Sequence, residues 1–359
     1  MKATLVFLLA MAIPAGAAQR VAFFCELPAA EFKALFEQPD VLSQLKGMSA
    51  SVRVGLLDLS PERAATIQKL NRAGIPVAAW LLLPESEGYW FNMTNGEKAA
   101  RRYADFKRWT DENHPLWQAV GIDLEPNINE VQMMKDHPWR LAWRMYTRLF
   151  AGRQYREGRE QYARVVAAIR SDGYTVESYV MPVVLDDRAR GTTSIQKVIG
   201  ILDLQTDREV PMLYSSFGSP ASIIVYHEPG KPIAIGSTGG GVKIGGEEAR
   251  PLSWEEFSRD LLLASHQTDE IYIFSLEGCV AKGWLSRIAR FDFAQPPPDI
   301  ASAVAEQEGQ RRWIQRAASV LDRPIVASAT VIAIPAVLVW GAIKIARQRR
   351  RRSESKSRP

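Results

Sequence analysis

The chain has 359 residues, 47% of them hydrophobic and 24% charged, enough apolar material for one large core or two modest ones and no mark of wholesale disorder. Its formal charge is +5, yet residues 344–359 hold eight Lys/Arg against one acid, a local +7 that leaves −2 on everything before them. That distribution argues against a nucleic-acid partner, which needs basic residues clustered on the folded domain.

In chain order, residues 1–18, "MKATLVFLLAMAIPAGAA", combine Lys2, a short apolar core and small residues at Ala15, Ala17 and Ala18. This is the pattern of a secretory signal peptide, with a mature chain starting near Gln19. Short β-rich runs then alternate with helical segments. The predicted strands are 21–27, 52–59, 76–83, 119–125, 175–183, 210–216, either 222–227 or 232–237, and 270–278. Between them, Ser60-Pro61 opens a helix that Gly74 closes, Ser253 and Glu256 make a capping box, and residues 138–170 read as one long or two shorter helices. Strands alternating with helices imply a parallel sheet covered by helices. The expected fold is a (β/α)8 TIM barrel over residues 19–293, preferred to an open doubly wound sheet because no GxGxxG follows the first strand.

Cys25 lies in the first predicted strand and Cys279 just after the last, and these strands are neighbours in a closed barrel. In an exported domain they are expected to form a disulfide, worth about 5 kcal/mol in chain-entropy terms, the other reading being two separate buried thiols. After "QPPPD", residues 294–323 read as a linker or membrane-proximal helix. The run from Ile325 to Ile343 carries no charged residue and has roughly the 20-residue length that crosses a bilayer, so a transmembrane helix is expected over 324–345. The basic tail, 346–359, belongs on the cytoplasmic side, which places the barrel outside the cytoplasm on a single-pass anchor.

The chemistry centres on "AVGIDLEPN" at 119–127. Alternation along a strand puts Gly121, Asp123 and Glu125 on one face, and in a barrel the C-terminal strand ends carry the active site. By the same alternation Glu277, in "EIYIFSLEG", is expected to converge on that mouth, and Asp58 to be a third acid there. Facing carboxylates are what glycoside hydrolysis needs, one as acid and one as nucleophile or base. Trp80, Trp90, Tyr179 and Tyr214 are the candidate rings for stacking on sugar faces. No cofactor and no metal are expected: the four histidines include no HExxH, and GxSxG is absent. The Gly-rich run 236–246 lacks a Walker ending and reads as a loop over the cleft in preference to a phosphate site. "NMT" at 92–94 is a glycosylation sequon where the source has that machinery.

"VGIDLEPN", "PMLYSS" and "IFSLEG" resemble the fourth-, sixth- and eighth-strand elements of the chitinase family of glycoside hydrolases. The resemblance implies a TIM barrel acting on a glycan, with Asp123 at the motif's middle Asp and Asn127 standing where the family has its proton donor. Glu125 followed by Pro126 is also similar to the acid/base motif of the large retaining glycosidase clan, which makes Glu125 the acid/base and Glu277 the candidate nucleophile, with Asn127 a substrate contact. The expected function is a membrane-anchored glycosidase; a barrel that binds glycans without cleaving them is the alternative.

Overall fold

The computed structural model describes residues 19–241 and 250–323. Eight strands, β1 (Arg20–Cys25), β2 (Ser51–Leu56), β3 (Val77–Leu81), β4 (Ala119–Leu124), β5 (Thr175–Val180), β6 (Arg208–Pro211), β7 (Ile233–Gly236) and β8 (Glu270–Phe274), form one parallel sheet in the order β6-β5-β4-β3-β2-β1-β8-β7. β1 pairs with both β2 and β8, so the first and last strands are neighbours. The remaining seam is closed by a bridge between Met212 and Ala234, where the Leu213 N–H donates to the Ala234 carbonyl at 2.8 Å. The result is the expected (β/α)8 barrel, weakest between β6 and β7. Of the two candidates for the seventh strand, 232–237 supplies it; Ser222–Val225 in the other is a short helix after Pro220.

Each strand buries both faces, as a helix-covered parallel sheet requires. Outward residues such as Phe23, Val54, Ile122 and Ile273 join the helices in the main apolar core. The inward residues fill the barrel in layers. Arg53, Glu177, Arg208 and Glu270 make an ionic layer at the N-terminal end, with Arg53 bonded to Glu177 and Arg208 to Glu270. Above it Phe24 meets Tyr179 edge-on at 4.7 Å and Trp80 at 5.2 Å, plugging the interior with aromatic rings.

The helix signals hold where they are local. Ser60 caps Pro61–Arg72 by accepting the Arg63 N–H, and Ser253 with Glu256 forms the capping box of Trp254–Ser265. Within 294–323 the chain forms a long helix, Ala301–Leu321, laid against the barrel: Arg311 donates to Asp186 at 2.8 Å, and Ser194 donates to Asp322 at 3.1 Å. The expected signal peptide (1–18), transmembrane helix (324–345) and basic tail (346–359) lie outside the described residues. Among the described residues no helix is long and apolar enough to cross a membrane.

The expected disulfide is not formed. Cys25 and Cys279 are both buried free thiols, and each has its own partner: Cys25 hydrogen-bonds Glu277, and Cys279 lies 3.6 Å from the Thr238 hydroxyl. Burial pushes the Cys279 thiol up to about 12 and raises Cys25 as well, so neither is a ready thiolate.

Candidate active site

The site is built outward from the C-terminal end of β4. Gly121 is required by space: a Cβ there would come within 2.3 Å of the Tyr179 hydroxyl oxygen, so its absence admits the ring beneath the next inward residue, Asp123. Asp123 is 2% exposed and accepts the Trp80 indole N–H at 3.1 Å. Glu125, one residue beyond the strand, lies within hydrogen-bonding reach of the Asp123 carboxyl. Among the described residues no donor faces Oδ1 of Asp123. Two carboxyls so close repel each other when both are ionised. Burial raises both, pushing Glu125 up to about 7, and the Glu125 and Glu26 charges raise Asp123 further.

Glu26 is the acid that the sequence reading missed. It follows β1 directly, is buried at the same mouth, and accepts a hydrogen bond from the Tyr89 hydroxyl. Its signal was available: an acid just past an apolar run, "VAFFCE", as Glu125 is just past its own. The loop carrying Tyr89 and Trp90 is held over the mouth because the Phe91 N–H donates to the Asp123 carbonyl at 2.9 Å.

Glu26, Asp123 and Glu125 open into a cavity of about 780 Å³, and Trp80, Trp90, Tyr179 and Tyr214 all line it as expected. Tyr179 forms its floor, with its hydroxyl turned down to Glu177 at 3.1 Å, and Tyr214 stacks on Phe274 at 5.9 Å. Three expected residues are elsewhere. Asp58 is gripped by Arg63 at 2.7 Å and accepts the Ser60 N–H at 3.1 Å; burial opposes its charge, but these bonds prevail and hold it down to about 2. Asn127 caps the helix Ile128–Asp136, accepting the Asn129 N–H at 3.0 Å.

Glu277 is the third. In the frame of β8 it shares the face of Ile271 and Ile273, which pack outward against the helices, and the strand stops at Phe274 where Ser275 caps a short helix, Leu276–Ala281. Gly240 stands between it and the cavity, so close that a Cβ on Gly240 would be 2.7 Å from Glu277 Cγ. Glu277 instead accepts the Glu26 N–H at 3.2 Å, and burial raises its carboxyl to about 7. The structure therefore does not bring Glu125 and Glu277 together in the cavity; Glu26 occupies the position expected of Glu277. Asn92 of the sequon is also buried, bonded to the Trp90 carbonyl at 3.1 Å and the Thr94 N–H at 3.0 Å.

The far wall comes from the helices Ile128–Asp136 and Pro138–Arg148, which follow β4. Its charges are bonded to one another: Arg148 donates to Glu130 through two hydrogen bonds of 2.6 Å, and Arg144 adds a third at 3.4 Å.

No protein-family model matches the chain, and no curated relative matches it. Among solved structures, it is similar to the glycoside hydrolase domain of PgaB (BpsB) from Bordetella bronchiseptica, 8% identical with a TM-score of 0.44, over 76% of this chain and 98% of that one. Saccharomyces cerevisiae Gas2p in complex with laminaritriose and laminaritetraose is 13% identical with a TM-score of 0.38, over 71% and 56% of the two chains. A mutant tryptophan synthase α-subunit from the hyperthermophile Pyrococcus furiosus is 10% identical, also with a TM-score of 0.38, over 76% and 95%. These likenesses are too distant to carry an argument about the site, which rests on the side chains described above.

Proposed function

We propose that this protein is a glycan-active hydrolase working by carboxylate acid–base catalysis, held outside the cytoplasm by the apolar run 325–343. The observation that carries the reading is the Asp123–Glu125 pair: two neighbouring carboxyls at the C-terminal end of a barrel strand, both raised by burial and opening into the cavity with Glu26. Glu125, the less buried of the two, is the proton donor to a glycosidic oxygen. As that bond breaks, positive charge grows on the sugar ring beside the Glu26 carboxylate, and a water that adds to the anomeric carbon returns a proton to Glu125. Trp80 fixes Asp123, Tyr89 fixes Glu26, and Trp90 and Tyr214 present rings to the sugar faces.

The test is incubation of the full-length chain with a polysaccharide panel that includes chitin and peptidoglycan, with Glu125→Gln and Asn127→Ala in parallel, and mass spectrometry of released oligosaccharides. Release by the native chain and by Asn127→Ala, with a loss of about 10²–10⁴-fold in Glu125→Gln, is the expected result. Sensitivity at Asn127 in place of Glu125 would overturn the assignment. Retention of a glycan by every variant without release would make the barrel a binding module.

A further inference from the structure

The carboxylates of the cavity face a wall that sugars do not need. Met134, Leu141, Met145, Ile199, Met212 and Phe217 line it, while the charged pair Glu130–Arg148 is bonded to itself. A cleft for a polysaccharide alone would offer donors and acceptors to hydroxyl groups along its length. Flexible thioethers and branched aliphatics accommodate a hydrocarbon of variable shape.

The helix Pro138–Arg148 makes the contrast sharper. Leu141, Met145 and Arg148 recur at helical spacing toward the cavity. Offset by two residues, on the opposite face, run Trp139, Trp143, Tyr146 and Phe150, with Trp139 87% and Trp143 66% exposed. Trp143 meets Tyr146, and Tyr146 meets Phe150, each at 5.6 Å. Arg140 flanks this stripe while Arg144 turns back to Glu130 at 3.4 Å, and exposed rings beside a basic residue are the composition of a helix lying at a lipid–water boundary. Ile199 belongs to the helix Ser194–Ile199, whose Ser194 bonds Asp322, and the uncharged run 325–343 begins two residues after Arg323. The apolar wall and the aromatic stripe are thus joined through neighbouring helices to Asp322, three residues before that run in the sequence.

We propose that the cavity takes an amphiphilic glycan, a saccharide bearing a hydrocarbon chain, with the sugar at Glu26, Asp123 and Glu125 and the chain along the Met134–Leu141–Met145 wall. This rests on the glycan reading and adds the chemical class of the substrate.

The test titrates the full-length chain, held in amphipol, with alkyl β-D-glucosides of six to twelve carbons below their micelle concentrations, following tryptophan fluorescence. Affinity is expected to rise about fourfold per methylene until the wall is filled. Met145→Lys should flatten that rise, and so should Met134→Ser, a change at a position 59% exposed that leaves folding intact. A dissociation constant independent of chain length, or an unchanged rise in both variants, would overturn the hydrocarbon half of the proposal and leave the glycan reading standing. Sulfobetaines of matched chain length should bind more weakly than the glucosides; equal binding would overturn the saccharide half, and with it the glycan reading.

Discussion

The two ends of the barrel interior use the same side chains to opposite effect. At the N-terminal end Glu177 is buried against Arg53, which is 0% exposed and donates to it at 2.8 and 3.2 Å while also meeting the Tyr272 hydroxyl at 2.7 Å. Burial works to raise Glu177, but the Arg53 guanidinium prevails and holds it below the usual carboxylate range. At the C-terminal mouth Asp123 is as deeply buried and has an indole and another acid for neighbours, so burial prevails and its carboxyl is raised. Depth is equal; the counter-charge decides. One layer is a structural ion network and the other is a reservoir for a proton, in line with barrels that keep stability at one end and chemistry at the other.

The largest test of this contrast is to remove one partner at each end. Arg53→Met should lower unfolding free energy by about 3–5 kcal/mol in a denaturant titration, because Glu177 is left charged and unpaired in the interior. Asp123→Asn should leave stability unchanged or raise it. Equal losses at the two ends would erase the distinction.

A pH series sharpens it. Glu125 and Glu277 both sit at about 7 in the folded chain, above the ordinary 4.5 of a glutamate, so the folded state holds more protons than the unfolded one between those values. Stability should therefore fall as pH rises from 4.5 to 7, by at most about 3 kcal/mol for each group, and level off above that. Glu277→Gln should raise the melting temperature at pH 8 and leave it unchanged at pH 4. A variant that melts with the native chain at both values would show that Glu277 titrates normally.

The smallest effect is expected at Asn127→Ala, about 1 kcal/mol by thermal melting, from the loss of a helix cap. A change in glycan release at that position, with folding intact, would move the site away from Asp123 and Glu125.

Much of this molecule was legible from its residues. The alternation in "AVGIDLE" placed Asp123 and Glu125 on the inner face, and Ser60-Pro61 and Ser253/Glu256 marked helix starts that the fold uses. The misplacements share a cause. In "IFSLEG" alternation sets Glu277 on the face of Ile271 and Ile273, which the barrel turns outward to the helices, and a cap, Ser275 accepting the Gly278 N–H, ends the strand before it. Asp58 likewise shares the face of Val54 and Leu56, which also pack outward, and Arg63, five residues on in the following helix, grips it there. The apolar wall went unread because its helices follow β4 with no motif of their own.

By itself the sequence determined the succession of strands and helices and the pairing of two acids at the end of β4, since alternation, caps and a two-residue spacing act between near neighbours. Only the tertiary structure decided which carboxylates would be neutralised and which left with a proton. Arg53 meets Glu177 across 124 residues of chain, and Asp123 lies in the same barrel without such a partner. Whether a buried acid finds a cation depends on barrel closure, and no local pattern encodes that.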